Sequence, residues 1–552
     1  MDMKKMIAFQ PEKKLLLTLC VLAITVFLFT NRSAAAGKGT RPNVLLILAD
    51  DMGFSDAGCY GGEIHTPSID LLARGGLQFT QHYSTGRCWP SRAALLTGYY
   101  PQQVQRDSVR DIERGVRPEW ARLLPDLLEP HGYKSYHSGK WHLDGKPTDN
   151  GFDRSWGSQK HHGVDDDRYF STPGWKEDEL EREVAEGEEY YSTVALVDHA
   201  VACLRLHEKK HKEQPFFQYL AFYSPHFPLH ALKVDIDRYR DLYKKGWDAV
   251  REERLQRMKE KGIIHTELSS REESIVPRWN LSQEELEEEI GPGEVARAVA
   301  WDTLTSEQKD YQATKMAIHA AMIARMDEEI GRVIEQLRKM EAYKNTVIFF
   351  ASDNGASAEQ IIRGDMHDKE APLGSAKSYV CLGPGWSTAA NTPFKLHKHW
   401  NHEGGIASPL VVHWPEGIQA RGELRTDVSH FIDIAPTILE LAGGTWPKQT
   451  DRGTAVPRAP GISLVDTFER NGSTQHGSLW WFHEGNRALR RGKWKISAKS
   501  ETKKESGPWE LYNLETDRAE MQNLAEKYPE KVKELATEWE RTVEGFRRDL
   551  QK

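Results

Sequence analysis

Two uninterrupted apolar runs dominate the hydropathy pattern of the chain. Asn43-Val44-Leu45-Leu46-Ile47-Leu48-Ala49 and Thr346-Val347-Ile348-Phe349-Phe350-Ala351 show no polar alternation. A strand with one face in water alternates apolar and polar residues. Continuous runs of this length therefore read as parallel strands covered on both faces. Further strands are predicted at 134–138, 216–223 and 410–414. Between them, apolar residues recur at helical spacing. The clearest helix covers 306–341, where Met322, Met326, Ile330, Val333, Leu337 and Met340 share one face. This methionine-rich stripe reads as core packing. Another helix is predicted over 431–441, stopped by Gly443-Gly444. Strands alternating with helices give an α/β fold, a large mixed, mostly parallel sheet flanked by helices.

The texture changes after about residue 449. Pro, Gly and Thr cluster at 450–461, and short strand-like pieces follow at 478–482, 488–489 and 494–496. A charged helix is predicted over 529–546. The expected organisation is a main α/β domain over 37–449 and a smaller C-terminal antiparallel subdomain with a terminal helix over 450–552. The charge-dense segment 235–305 reads as solvated helix faces in an insertion.

Composition narrows the class. With 552 residues and 39% hydrophobic content, the chain can bury a substantial core. A net charge of −8 excludes nucleic acid as the partner, because phosphate binding needs a basic face. Lys4, Lys5, Lys13 and Lys14 precede an apolar run at 15–29, and Ala34-Ala35-Ala36-Gly37 follows. That is the pattern of a signal peptide over 1–36, cleaved after Ala36. The run is short for a spanning helix. The chain is expected to use the export machinery and to work in the periplasm or outside the cell. Cys20 follows Leu19 and lacks the small preceding residue of a lipoprotein site. Cys59, Cys88, Cys203 and Cys381 are too few and too widely spaced for a disulfide scaffold.

The candidate chemistry gathers at the ends of the predicted strands. The two long runs end in Asp50-Asp51 and in Asp353-Asn354. Ligands of open parallel sheets collect beyond the carboxyl ends of the strands, so the two pairs predict one shared metal site. These side chains offer only oxygen, which suits Ca²⁺ or Mg²⁺ and not zinc. Cys88-Trp89-Pro90-Ser91-Arg92 reads as a turn entering a short helix that Gly98 ends. Cys88 then sits at a helix N-terminus, where free amides and the dipole favour negative charge, and Arg92 can reach back to it. In Gly139-Lys140-Trp141-His142-Leu143, Lys140 and His142 share one side if the segment is extended. His226 lies between Pro225 and Pro228 at a strand end. Lys395 and Lys398 both precede the glycine turn at 404–405, and His402 and Glu403 read as supports of that turn.

Cys88, Pro90 and Arg92, with the tail Leu95-Leu96-Thr97-Gly98, resemble the signature of the type I, formylglycine-dependent sulfatases of the alkaline phosphatase superfamily. The stretch 139–143, Gly151-Phe152-Asp153 and 509–514 extend the likeness over roughly 42–524. Segments 374–376, 383–386 and 391–394 resemble the bacterial arylsulfatase-like branch. The resemblance implies that Cys88 is oxidised to formylglycine by a formylglycine-generating or anaerobic sulfatase-maturating enzyme. The hydrate of that aldehyde would be the nucleophile and, unlike a thiol, a good calcium ligand. Asp50, Asp51, the modified Cys88, Asp353 and Asn354 would hold one Ca²⁺. Arg92 would orient the hydrate, and Lys140 and Lys398 would hold the sulfate. His142 and His226 would protonate the leaving oxygen and help the hydrate collapse. The implied activity is sulfuric ester hydrolysis, arylsulfatase-like, on a sulfated small molecule or sulfated carbohydrate. Trp156, Trp386, Trp480 and Trp481, read as loop residues, would suit stacking on sugar faces. Two alternatives remain at this point: a phosphate or phosphonate ester hydrolase on the same fold, and a non-catalytic binding protein whose Cys88 is never oxidised.

Overall fold

A computed structural model describes residues 41–158, 169–171, 190–503 and 505–552. The signal peptide expected at 1–36 lies outside them. No helix among the described residues is long and apolar enough to cross a membrane.

Nine strands form the main sheet: β1 (Asn43–Ala49), β2 (Leu77–Tyr83), β3 (Lys134–Lys140), β4 (Arg154–Ser158), β5 (Phe216–Ala221), β6 (Thr346–Ser352), β7 (Ala407–His413), β8 (Glu423–Arg425) and β9 (Ser429–His430). Their order is β4-β3-β5-β1-β6-β7-β2-β8, with β9 pairing β2. The run β4-β3-β5-β1-β6 is parallel, and β7 runs antiparallel to both neighbours. The apolar runs are the centre of this sheet. Val44 to Ala49 and Val347 to Phe350 are fully buried, as strands covered on both faces require. The helix predicted over 306–341 is Ser306–Lys339, and Thr305 and Gln308 close a capping box at its start. Its stripe from Met322 to Leu337 is buried, as core packing predicts.

The C-terminal strands β10 (Leu479–His483), β11 (Asn486–Arg491), β12 (Trp494–Ala498) and β13 (Glu510–Asn513) form a separate antiparallel sheet in chain order. The helix Pro529–Leu550 buries Leu535, Trp539, Val543 and Phe546, and Trp539 stacks on Trp480 of β10 at 5.3 Å.

Three expectations need correction. Trp156, Trp386, Trp480 and Trp481 are not loop residues. They lie in β4, in the helix Gly383–Ala390 and in β10, no more than 3% exposed, so they are core and cannot stack on a sugar. The charged insertion is not all solvated. The helix Gly246–Glu260 buries Arg254, which reaches Asp56 and Glu63, each at 2.7 Å. The charge density at 251–261 therefore includes an internal ion-pair anchor. Finally, Lys140 ends β3, and His142 adopts a left-handed φ of 59°, so the two do not lie on one extended segment. Cys59, Cys88, Cys203 and Cys381 are all free thiols.

Candidate active site

The four adjacent strands β3, β5, β1 and β6 deliver the site from their carboxyl ends. Ala49 pairs with Ser352, which sets Asp50-Asp51 beside Asp353-Asn354. The Asp353 amide donates to the Ala49 carbonyl at 3.1 Å, and the Asp50 amide to the Ser224 carbonyl at 3.0 Å. β3 ends at Lys140, whose ammonium contacts Asp50. The loop after β5 brings His226, with Nε2 3.5 Å from Asp51. Asp51 itself has a φ of 67°, a left-handed conformation that Asp tolerates better than most residues.

Cys88 opens the helix Cys88–Thr97, and Gly98 closes it in the left-handed conformation. No side chain caps its N-terminus, so its first amides and dipole face the site. Cys88 is 1% exposed. Burial raises its thiol pKa, while Lys140 and Lys398 pull it down. One turn on, Arg92 is fully buried and forks onto Asp353 Oδ2 with Nε at 3.1 Å and Nη2 at 2.8 Å. Its Nη1 donates to the Lys140 carbonyl at 2.8 Å, tying the helix to the end of β3.

Lys398, not Lys395, faces this centre. Its ammonium lies 2.8 Å from Asp51 and 3.3 Å from Glu359. Lys395 points to Glu272 at 3.3 Å instead. Burial opposes the charge of Lys398, but Asp51 and Glu359 outweigh it and raise its pKa. Burial is the largest influence on Asp51 and Asp353 and raises both carboxyls against the nearby cations. Burial, reinforced by Lys140 and Arg92, drives the His142 pKa well below its usual value. His142 is therefore a neutral imidazole near neutral pH.

The donor set fits a hard cation. Asp50, Asp51, Asp353 and Asn354 are at most 3% exposed, and Oδ1 of both Asp50 and Asn354 lacks a hydrogen-bond partner. The Asn354 amide donates to Asp51 Oδ1 at 2.7 Å, which leaves its own Oδ1 to accept. Buried acceptors without donors are costly, and Ca²⁺, which takes six to eight oxygens, would satisfy them. Asp50, Asp51 and His226 also lie close enough to share an ion.

The sequence did not point to Arg87 and Glu359. Arg87 precedes Cys88 and bonds Glu359 at 3.1 Å. Glu359 lies in a loop, remote in sequence from every motif, and no spacing signals it. Burial opposes its charge, but Arg87 and Lys398 outweigh burial and hold the carboxyl well below the usual range.

The comparisons agree with this geometry. A family model described as Sulfatase matches residues 42–444, and one described as N-sulphoglucosamine sulphohydrolase, C-terminal, matches 395–549. An uncharacterized sulfatase of Schizosaccharomyces pombe is 31% identical over 548 residues, covering 91% of this chain and 93% of that one. An arylsulfatase of Klebsiella aerogenes is 30% identical over 476 residues, covering 80% of this chain and 95% of that one. The solved structure of BT4656 in complex with its substrate D-glucosamine-2-N,6-O-disulfate shares the fold, with a TM-score of 0.58 at 21% identity over 92% of this chain and 99% of that one. With the first family model alone covering well over half of the sequence, the chain belongs to the sulfatase family and is a sulfuric ester hydrolase.

Proposed function

We propose that this sulfatase works through a formylglycine formed from Cys88 beside a calcium ion, and that its substrates are sulfated carbohydrates. One observation carries the reading. A buried Cys88 stands at a helix N-terminus within electrostatic reach of Lys140, Lys398, Asp50 and Asp353. No purely structural cysteine needs that surround.

Asp50, Asp51, Asp353 and Asn354 would hold the calcium ion, which when bound draws negative charge from the ester oxygens. The oxidised, hydrated form of Cys88 supplies a hydroxyl nucleophile that a thiol cannot match at sulfate. The other tasks fall to the chain's own side chains. Lys140 and Lys398 bind the non-bridging oxygens of the ester. Arg92 fixes Asp353 through two hydrogen bonds and keeps that carboxylate from turning away from residue 88. His142, held neutral by burial beside Lys140 and Arg92, can offer a hydrogen bond to the reacting oxygens without adding a charge. His226 Nδ1 lies 2.6 Å from the Phe227 carbonyl, which turns Nε2 towards Asp51 and the sulfate position. A proton at Nε2 can pass to the departing oxygen.

The carbohydrate reading draws support from relatives. BT4656 binds a sulfated glucosamine, and a human relative, 27% identical, is an N-acetylgalactosamine-6-sulfatase. The signal pattern at 1–36 supports export. The test uses protein made beside a maturating enzyme, with formylglycine at position 88 checked by mass spectrometry. kcat/KM for 4-nitrophenyl sulfate should exceed that for 4-nitrophenyl phosphate by ~10³, equivalent to about 4 kcal/mol of transition-state preference. The sulfate ester carries one negative charge, which suits Ca²⁺, Arg92, Lys140 and Lys398 set against three carboxylates. Better hydrolysis of the phosphate would refute the assignment.

A further inference from the structure

Trp89 follows Cys88 and His399 follows Lys398, so the chain runs directly from the sulfate-binding residues into a second cluster. The Trp89 ring meets His483 at 5.1 Å and His142 at 5.7 Å. The Trp279 ring meets His399 at 4.9 Å, and its indole N–H donates to Glu359 at 3.0 Å. His399 and His483 meet edge to face at 5.3 Å. Trp89 and Trp279 are half-buried, and the Glu484 side chain is 24% exposed, so the cluster opens to solvent.

Three polar groups converge inside this recess. His399 is 3% exposed and His483 is fully buried, yet His399 Nδ1 and His483 Nε2 have no hydrogen-bond partner. The other nitrogen of His483 lies 2.9 Å from Asp107, and Gln102 in turn donates to that carboxylate at 3.1 Å. This support fixes the ring with Nε2 aimed into the recess. His399 Nδ1 is 3.9 Å from Glu484 Oε2, and one such atom from each of His399, His483 and Glu484 lies within 4.8 Å of the others. His399 and Glu484 both adopt left-handed backbone conformations, φ 89° and 43°, which are uncommon for such side chains and concentrate at functional positions.

The spacing admits two kinds of occupant. Around a tetrahedral zinc ion, with bonds of roughly 2.0–2.1 Å, ligand atoms stand about 3.4 Å apart. Around a hydroxyl oxygen, with partners at roughly 2.8 Å, they stand about 4.6 Å apart. The 3.9 Å between His399 Nδ1 and Glu484 Oε2 lies between the two values, and it is the opening to solvent next to Cys88 and Lys398 that favours a substrate hydroxyl here. The imidazole nitrogens donate or accept according to tautomer and the carboxylate accepts, so the three can hold a hydroxyl; the Trp89 and Trp279 rings, with the Arg87 guanidinium over both, give the amphipathic wall that a sugar ring meets. We propose that His399, His483 and Glu484, walled by Trp89 and Trp279, form the leaving-group subsite and that it takes a hydroxyl-bearing pyranose ring. This inference rests on the sulfatase reading above and names the residues that select the alcohol.

The experiment measures kcat/KM of the matured enzyme on singly sulfated hexopyranoses, with 4-nitrophenyl sulfate as the reference. For His399→Gln, His483→Gln and Glu484→Gln, the ratio of the best sugar sulfate to the reference should fall about 10- to 100-fold, mainly through KM, as lost hydrogen bonds to an ordered hydroxyl predict. Should a variant fail to fold, the wild type still decides. The desulfated form of the best sugar should inhibit hydrolysis of 4-nitrophenyl sulfate competitively, and absence of inhibition at high concentration would overturn the subsite. An unchanged ratio in folded variants would overturn it too. So would a bound transition-metal ion that His399→Gln releases. Turnover of 4-nitrophenyl sulfate with no turnover of any hexopyranose sulfate would sink the subsite and leave the sulfatase reading standing. Turnover of neither, by protein carrying the modified Cys88, would sink both.

Discussion

Lys398 shows how single residues set the chemistry. A buried ammonium between Asp51 at 2.8 Å and Glu359 at 3.3 Å is held charged at a cost already met by the fold. It is thus ready for an anionic transition state without reorganisation. Lys398→Ala should lower kcat by ~10²–10³, or about 2.7–4 kcal/mol, and stopped assays on an aryl sulfate would read the loss. The oxygen ligands behave differently. Chelation should abolish turnover and Ca²⁺ should restore it. Asp50→Ala and Asp353→Ala should do more harm than Asn354→Ala, since each removes a full charge from the ion. Full activity of metal-free protein would count against the site. Cys88→Ala should abolish turnover while shifting the melting temperature only slightly, because one small buried side chain is lost. Asp50, Asp353, Asn354 and Cys88 were legible in the sequence because each follows a strand end or starts a helix, whereas Lys398, in a turn, was read from the family resemblance. Glu359, His399 and His483 were not, since only folding brings two loops and the end of β10 near Cys88. The tryptophans failed as sugar platforms for a related reason: an aromatic side chain in an unassigned stretch looks the same whether its segment becomes an exposed loop or a buried strand.

At the scale of elements, the most legible strands were those with an apolar interior. β1 and β6 are apolar between their end residues, as short strands covered on both faces require. β2, Leu-Gln-Phe-Thr-Gln-His-Tyr, was missed because its polar residues look like surface. In the structure Gln78 donates to the Cys59 carbonyl, Thr80 to the Arg425 carbonyl, and His82 pairs with Ser429. Tertiary partners thus turn a polar segment into an internal strand. The end of β3 carries a stricter constraint. Gly139 has φ 112° and pairs with both Gly157 and Ala221. A Cβ at Gly139 would stand 1.9 Å from the Ala221 carbonyl oxygen, and one at Gly157 would stand 1.8 Å from the Gly139 oxygen. Gly139→Ala must therefore push β3 away from β5 and carry Lys140 with it. The expected result is a loss of more than roughly 2 kcal/mol of stability together with near-complete loss of turnover. Urea unfolding and an aryl sulfate assay would read the two effects, and a stable, active variant would contradict this account of the strand end.

At the scale of the whole molecule, the C-terminal sheet is joined to the active-site loop by a buried charge network. Glu403, in the turn that follows Lys398, accepts from Tyr83 of β2 at 2.8 Å and from Lys495 of β12 at 2.9 Å, and Arg518 lies 3.2 Å away. Lys495 also meets Glu520 at 2.9 Å, and the Glu520 carboxylate takes the Glu403 amide at 2.7 Å. The expected role of Glu403 as a support of the glycine turn is thus one part of a larger role. Burial alone would raise the Glu403 carboxyl, but Lys495, Arg518 and Arg490 outweigh it and lower the pKa below its ordinary 4.5. A group whose folded-state pKa is depressed contributes stability that is fully present above its unfolded value and is lost as pH falls through the folded one. Glu403 should therefore stabilise the protein at neutral pH and contribute progressively less as the pH drops below 4.5. Glu403→Gln takes the carboxylate from Arg518 and leaves Lys495 with Glu520 alone, a change that costs up to about 3–5 kcal/mol at neutral pH. The gap in urea midpoint between wild type and variant should be widest near neutrality and should narrow on acidification below 4.5. Turnover should fall with it, because the same turn carries Lys398. A gap that stayed constant with pH would mean that Glu403 acts through shape alone, and that charge does not hold the C-terminal sheet against the site.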